Sequence, residues 1–255
     1  APIALDLPPE LAKVRVTAIA RAVGIGNRLA FGTDDGRIIP VTIEFTAGYE
    51  EGARHIVPTV TLGTPVQLTP SKEPIIRLAY QPTERGTLTA ALTDHGRLWY
   101  TSVASGNTPV ALTGHGTEPV TAVIFDSRGE TLSIGTAAGN LYHYEVREGT
   151  QPSLVETTSV APPGTSVTAL SYLIGDRSLA IGSSAGDVSV WMPVRQAQES
   201  STTRFRLIHQ FDAHPSPVTV ISPSLRDKGF ITGDTQGNLH GAGAGVEGAH
   251  RTSAK

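Results

Sequence analysis

Cysteine is absent from this 255-residue chain, which excludes disulfide bonds and thiolate metal sites and leaves the redox compartment open. An excess of charge of one sign is also lacking. The formal net charge is -3, so the sequence shows none of the clustered basic character that nucleic-acid binding requires. No apolar run reaches the roughly 18 residues of a membrane helix, and the first residues lack the basic start and apolar core of a signal peptide. As given, the polypeptide is expected to be soluble.

Aromatic residues are scarce, at 5% of the chain, whereas glycine (27) and proline (18) are abundant. This composition favours many short strands joined by turns over a helical fold. All-β barrels and propellers of this length are often one undivided domain. The first expectation is therefore a single all-β domain.

The clearest pattern lies in residues 166–195, where apolar and polar residues alternate, a turn at Gly175-Asp176 interrupts them, and a second turn follows at Ala185-Gly186-Asp187. The pattern recurs five times along the chain. The first strands of the copies begin near Val16, Ile76, Val120, Val167 and Val218, and their turn glycines are Gly36, Gly96, Gly139, Gly186 and Gly237. The two landmarks of each copy are 19 or 20 residues apart.

Successive turn glycines are separated by 60, 43, 47 and 51 residues, close to the length of a four-stranded propeller blade. The sequence therefore predicts an all-β, WD40-like β-propeller with five recognisable blade repeats. In the first and longest interval, residues 57–62 and 66–68 resemble an extra strand pair. They could form part of an additional or distorted blade.

WD40-like signatures are present but degenerate. Gly114-His115 and Ala213-His214 stand just before a first strand, where such repeats carry a Gly-His pair, and Trp191 follows Gly186 by five residues, at the position of the tryptophan in the Trp-Asp pair. No Trp-Asp dipeptide occurs. Trp191 is expected to be a packing residue and the turn glycines structural landmarks.

Regular patterning ends near residue 240. The following GAGAGVEGAHRTSAK lacks alternation and bulky apolar residues. We expect a propeller domain over residues 1–240, incomplete at its C-terminus, and a disordered tail or linker over residues 241–255.

Chemistry-bearing motifs are not apparent. The eight histidines show no metal-ligand spacing, the Asp-Gly pairs suit turns, and no nucleophile elbow occurs. We predict no catalytic, cofactor-binding or metal residues and no enzymatic activity. The most individual surface segment contains Arg226, Asp227 and Lys228 at a strand connection. This segment is a candidate partner contact, and a simple charged hairpin is the alternative.

Two segments resemble a known family. WMPVR at residues 191–195 and SPSLRDKGF at residues 222–230 resemble segments of the large soluble insertion of the long-form phosphate ABC transporter permease (PstC type). The resemblance is best over residues 120–239 and extends back to about residue 11. The resemblance implies a β-propeller on the periplasmic face of a bacterial inner membrane. Its partners would be the membrane portion of the same permease, the phosphate-binding protein and the ATPase subunits.

Three functions therefore compete at the level of sequence. The first is a non-catalytic periplasmic interaction or regulatory domain of a phosphate-uptake permease. The second is a free-standing WD40-like scaffold for protein–protein interaction. The third is an enzyme that uses the central funnel of the propeller, and no convergent set of acid, base or metal ligands supports it.

Overall fold

The computed structural model describes residues 9–50, 53–84, 86–102, 106, 108–147, 150–195, 203–227, 229–243 and 250–252. In these residues the regular structure is almost entirely β-strand, with one short 3-10 helix at Pro9–Leu11. None of the described residues belongs to a helix of the length and apolar character that crossing a bilayer requires.

The chain divides into two compact units, Ala1–Leu112 and Thr113–Lys255. The first contains two antiparallel sheets and the second contains three, and we number these sheets blades 1 to 5 in chain order. Blade 1 consists of β1 (Val16–Arg21), β2 (Arg28–Thr33), β3 (Arg37–Glu50), β4 (Ala53–Leu62) and β5 (Val66–Gln67). Blade 2 consists of β6 (Ile75–Thr83), β7 (Gly86–Thr93), β8 (Leu98–Ser102) and β9 (Val110–Ala111).

The second unit repeats the same four-stranded order three times. Blade 3 consists of β10 (Val120–Phe125), β11 (Thr131–Thr136), β12 (Asn140–Glu145) and β13 (Ser153–Ser159). Blade 4 consists of β14 (Val167–Tyr172), β15 (Leu179–Ser183), β16 (Val188–Arg195) and β17 (Thr203–Gln210). Blade 5 consists of β18 (Val218–Pro223), β19 (Phe230–Asp234), β20 (Leu239–Ala242) and β21 (His250–Thr252).

The predicted all-β fold with five blade repeats is confirmed. Four of the five copies start at the predicted residue, and the second starts at Ile75, one residue before the predicted Ile76. Because both positions hold isoleucine, the sequence alone does not separate them. Residues 57–62 lie in β4 and Val66–Gln67 forms β5, and both strands pair with β3. The extra strand pair therefore belongs to blade 1, and the described residues contain no sixth sheet.

The C-terminal region differs from its sequence-based expectation. β20 continues through Ala242 after the predicted boundary at residue 240, and β21 pairs with it, so blade 5 also has four strands. Residues 244–249 and 253–255 of the predicted tail lie outside the described residues. Backbone N–H and C=O groups suffice to pair strands, which is why a segment without apolar alternation still extends the ladder.

The first strand of every blade has the same irregularity. Its register against the second strand shifts between the first and third residues, as between Val120 and Ala122, in all five blades. All five predicted turn glycines have positive φ, from 76° at Gly96 to 92° at Gly186. Glycine adopts this backbone region without the steric cost that a Cβ atom brings. These features give the blades one common geometry.

Neighbouring blades within each unit contact one another through a repeated socket. The first residue of one blade fills the space beside a glycine in the second strand of the blade before it. A Cβ atom on Gly182 would lie 2.5 Å from Val218 Cγ1, and Gly32 and Gly135 meet Ile75 and Val167 in the same way. Each glycine thus makes room for the next blade.

A hydrogen bond accompanies two of these sockets. Thr17 Oγ1 donates to the backbone oxygen of Ile75 at 2.6 Å. Thr121 Oγ1 donates to that of Val167 at 2.5 Å. Apolar burial is common to all three sockets, and the backbone hydrogen bond adds to it once in each unit. At the socket between blades 4 and 5 the equivalent Thr168 Oγ1 is buried without a partner among the described residues.

Candidate protein-binding surface

The predicted contact at Arg226, Asp227 and Lys228 is in the loop between β18 and β19. Arg226 and Asp227 are exposed, and Lys228 lies outside the described residues. Asp227 Oδ1 accepts a hydrogen bond from the Gly229 N–H at 2.8 Å, and this bond lowers the pKa of Asp227 below its usual range. The Ser224 hydroxyl accepts from the Arg226 N–H at 3.2 Å. The described part of the loop is therefore a charged turn held by local hydrogen bonds, and its role in partner binding stays a prediction.

A concavity of about 470 Å³ adjoins this loop and is formed within blade 5. Phe230 and Ile231 contribute apolar surface to it, and Ser222 and Asp227 contribute polar atoms. Of these residues Phe230 is buried, whereas Ile231 is more than half exposed. The concavity offers a shallow, mixed surface and no convergent catalytic groups.

A second exposed feature is formed by the C-terminal part of β3 and the N-terminal part of β4. β2 pairs with β3 only as far as Thr42, whereas β3 and β4 continue to pair with each other up to Glu50 and Ala53. The eight residues from 43 to 50 correspond to about 26 Å of extended strand. These two paired segments, residues 43–50 and 53–60, are together called the arm below.

One face of the arm is apolar and open to solvent. Residues directly opposite one another in the ladder share a face, and the pairs on this face are Phe45 with Pro58, Ala47 with Ile56, and Tyr49 with Arg54. Phe45 is 64% exposed, Ile56 60% and Tyr49 77%. Large apolar groups that cluster in solvent are typical of surfaces that bind other proteins. Tyrosine and arginine are also enriched among the residues that dominate binding energy.

The arm was not predicted from the sequence. The alternation in IEFTAGY and the apolar run HIVPTV flank Glu50, Glu51 and Gly52, a pattern that indicates a hairpin once the two runs are considered together. The excess length of the first repeat was instead interpreted as an extra strand pair, part of an additional or distorted blade. The signal was therefore present in the sequence but was assigned to the wrong element.

The arrangement that most resembles a nucleophile and its base is buried between blades 3 and 4. Ser133 Oγ lies 2.9 Å from His143 Nδ1 and 2.9 Å from the Tyr172 hydroxyl. Burial lowers the pKa of His143 to about 4 and raises that of Tyr172. Ser133 has no accessible surface, so a substrate cannot reach its hydroxyl. The group serves as an internal hydrogen-bond network.

His214 shows how a blade is braced from within. Its Nε2 lies 2.7 Å from Thr232 Oγ1, and its ring stacks on His240 with centroids 3.9 Å apart. Burial and the neighbouring His240 lower the pKa of His214. Burial alone would raise the pKa of Asp234, but hydrogen bonds from Asn238 hold it well below its ordinary value.

The other histidine before a first strand is placed differently. The ring of His115 meets Tyr142 edge-on at 6.5 Å, and its Nδ1 is buried without a hydrogen-bond partner among the described residues. Trp191 lies half-buried on β16 and donates from Nε1 to Ser189 Oγ at 2.9 Å. Within the described ranges, no group of three or more His, Asp or Glu residues could hold a metal ion.

No protein-family model and no curated protein matches the sequence. Solved structures do resemble the fold. The β-propeller domain of Cps50 (Swd1) from Myceliophteria thermophila matches with a TM-score of 0.66 at 14% identity, over 92% of this chain and 72% of that one. Sqt1 from Chaetomium thermophilum, crystallised with the N-terminus of ribosomal protein L10, matches with a TM-score of 0.58 at 16% identity.

That match covers 89% of this chain and 58% of Sqt1, so the chain spans less than two thirds of that protein. A chain of the mitotic checkpoint complex matches with a TM-score of 0.59 at 16% identity, over 95% of this chain and 67% of that one. At these identities the likeness establishes the WD40-like propeller fold and nothing finer.

Proposed function

We propose that this chain is a non-catalytic, WD40-like protein-interaction scaffold that binds its partner through the arm. The observation that supports this function is the exposed apolar face formed by Phe45, Tyr49 and Ile56. Burying such a face against a partner would release about 25 cal/mol for each Å² of apolar surface removed from water. Two of the similar propellers are described in assemblies with other proteins, one with a ribosomal protein and one in a checkpoint complex.

The arm suits a partner that supplies its own apolar groove or sheet face. Arg54 lies on the same face beside the apolar residue pairs, while Glu44 and His55 lie on the opposite face. A partner would therefore bury the aromatic rings of Phe45 and Tyr49 at the centre of the contact. Polar groups would remain at its rim, the arrangement typical of protein interfaces.

The test is affinity capture from an extract of the source organism with three forms of the chain. These are the wild type, the double variant Tyr49→Ser/Ile56→Ser, and the control Leu207→Ser, which replaces an exposed apolar residue on β17. We expect a defined partner whose recovery falls at least tenfold with the arm variant and is unchanged with the control. Equal recovery by the arm variant and the wild type would reject the arm as the binding surface.

A narrower second candidate places this interaction module on the periplasmic face of a phosphate ABC transporter permease. The observation that favours it is the similarity of residues 191–195 and 222–230 to the soluble insertion of that family. In that setting the partner would be the phosphate-binding protein or another part of the transporter. Sequencing the gene on both sides of this segment provides the test, because the candidate requires flanking apolar runs of about 20 residues. A gene without such runs would eliminate it.

A further inference from the structure

A small cavity in the second unit lies beside the turn that joins β15 to β16. It has a volume of about 280 Å³ and is lined by β15, β16, β17 and the segment that follows β13. Val160, Pro162 and Ile181 form its apolar wall. Sites that enclose whole small molecules usually measure about 300 to 1,000 Å³, so this cavity suits a single side chain or a small compound.

The polar lining of the cavity contains one charged group. Asp187 is half-buried there, beside the neutral side chains of Ser183, Ser189 and Gln210. The Ser183 hydroxyl donates to Asp187 Oδ2 at 3.1 Å. Ser189 Oγ accepts from Trp191 Nε1 at 2.9 Å and keeps a second lone pair. None of the ion pairs formed by the described residues includes Asp187.

Asp187 is the residue that follows the turn glycine, and in blades 1 and 2 this position holds a cation. In blade 1 it is Arg37, whose Nε donates to Asp35 Oδ2 at 2.8 Å. In blade 2 it is Arg97, whose Nε donates to Glu73 Oε2 at 3.1 Å. Each of these two carboxylates is therefore bound by a guanidinium group of the chain itself.

Blades 3 and 5 have an asparagine at the same position. Asn140 Nδ2 donates to Glu118 Oε1, and Asn238 Nδ2 donates to Asp234 Oδ2, both at 2.9 Å. Blade 4 departs from this pattern, because its residue is an acceptor where the other four blades have a donor. Its turn therefore presents a carboxylate to the cavity without the guanidinium or amide group that binds the carboxylate elsewhere.

We infer that this cavity binds an aliphatic cation, an ammonium or guanidinium group at the end of a hydrocarbon stem. Asp187 would accept a charge-assisted hydrogen bond from the cation, and Ser189 Oγ would accept a second one. The apolar wall would pack on the methylene groups of the stem, as apolar surfaces do on lysine and arginine side chains. A metal ion suits the cavity less well, since Ca²⁺ takes about six to eight oxygen ligands and the lining has one carboxylate.

Two sources share this chemistry. One is a lysine or arginine side chain of a partner protein, and the other is a free small amine. The first source rests on the proposed function, whereas the site itself does not. Neither source involves the arm, so this inference and the proposed function can fail separately.

NMR titration of the ¹⁵N-labelled intact chain tests the site with four probes. Nα-acetyl-lysine N-methylamide and Nα-acetyl-arginine N-methylamide imitate basic residues within a polypeptide, and n-butylammonium represents a free amine. Nα-acetyl-norleucine N-methylamide has the stem without the charge. We expect saturable shifts of the Asp187 and Gln210 amide signals at millimolar concentrations of a cationic probe, and none with the norleucine compound.

Asp187→Asn keeps the shape of the side chain and removes its charge, and asparagine suits a turn. This variant should bind the cationic probe about tenfold more weakly than the wild type. The control is Asp212→Asn, which removes an exposed carboxylate that does not line the cavity. At physiological ionic strength, where charges outside the cavity are screened, the control should bind like the wild type. The dispersion of each spectrum verifies folding.

Binding of the blocked lysine or arginine would support the site and identify a partner's side chain as the source of the cation. Binding of n-butylammonium without the blocked compounds would also support the site, with a free amine as the source. No saturable shift with any cation would overturn the inference, as would equal binding of the norleucine compound or equal binding by Asp187→Asn. If Asp187→Asn did not fold, the comparison of charged and uncharged probes on the wild type would decide alone.

Discussion

The hydroxyl of Tyr172 lies 2.9 Å from that of Ser133, so a buried hydrogen bond joins blade 4 to blade 3. His143 completes the network from β12, with its ring 4.6 Å from that of Phe205 on β17. Polar groups of this kind are stabilising only while each has a partner and the histidine stays uncharged. We therefore expect protonation of His143 to weaken this contact between the two blades.

The first prediction concerns this effect of protonation. Burial lowers the pKa of His143 to about 4 in the folded chain, from the value of 6.5 that applies when the chain is unfolded. Above pH 6.5 the residue is neutral in both states and contributes no pH dependence. As the pH falls from 6.5 towards 4, the unfolded state binds a proton and the folded state does not, so the free energy of unfolding falls, by about 2 to 3 kcal/mol.

Denaturant unfolding at pH 7.5 and pH 4.5 measures this loss. His143→Leu should have a smaller decrease than the wild type by about that amount, whereas His55→Leu, at an exposed position of the arm, should decrease like the wild type. The comparison between variants cancels the titration of the acidic residues that all three proteins share. If the free energy of unfolding depended on pH identically in the wild type and His143→Leu, the lowered pKa assigned to His143 would be wrong.

The second prediction concerns the socket between blades 4 and 5. Gly182→Ala should lower the free energy of unfolding by about 1 to 3 kcal/mol, because the new methyl group would press on Val218 and force the blades apart. Gly241→Ala is the control, since that glycine lies in a strand with no atom within 4 Å of its Cβ direction. The midpoint of thermal unfolding should be clearly lower for Gly182→Ala than for Gly241→Ala. Equal midpoints would show that the socket does not hold the blades together.

The third prediction separates backbone strain from crowding at the turn glycines. Gly96→Ala meets no neighbouring atom and should cost only the left-handed backbone strain, about 1 kcal/mol. Gly186 also has a positive φ, 92° against 76° at Gly96, and the methyl group of Gly186→Ala would in addition overlap the backbone oxygen of His214. We expect a loss of about 3 kcal/mol or more for Gly186→Ala in denaturant titrations. If Gly96→Ala proved the more damaging, the explanation by crowding would be wrong.

The fourth prediction is that the apolar face of the arm does not contribute to folding. Phe45→Ser and Ile56→Ser should change the free energy of unfolding by no more than about 0.5 kcal/mol, because both side chains are mostly exposed. The same change at a buried residue, Leu132→Ser, should be severely destabilising. A large loss of stability in either arm variant would mean that the face packs within the chain and is not free for a partner.

The sequence predicted the features that repeat and missed those that depend on contact between segments distant in sequence. The 19- or 20-residue spacing located every turn glycine, because a tight turn between two strands leaves a local mark. The arm was missed because its two strands interrupt the repeat. The socket glycines Gly32, Gly135 and Gly182 could not be identified from sequence alone, since their neighbours come from the following blade.

The two candidate binding surfaces also differ in how far the sequence could identify them. Arg226 and Asp227 were predicted as a partner contact because their segment is distinctive in sequence, and in the structure they are exposed in a charged turn. Phe45, Tyr49 and Ile56 alternate with polar residues as in any strand, and only the structure shows that their side chains are exposed. Exposure depends on the folded environment of a strand, so alternation alone could not distinguish this face from a core face.

The central claim, that the arm binds a protein partner, is tested most directly by site-specific photocrosslinking in cells of the source organism. A photoreactive phenylalanine analogue replaces Tyr49 in one form of the chain and Leu207 on β17 in another. The account predicts one discrete crosslinked protein from position 49, absent when Phe45 and Ile56 are both serine, and none from position 207. No crosslink from position 49, or the same products from both positions, would contradict it.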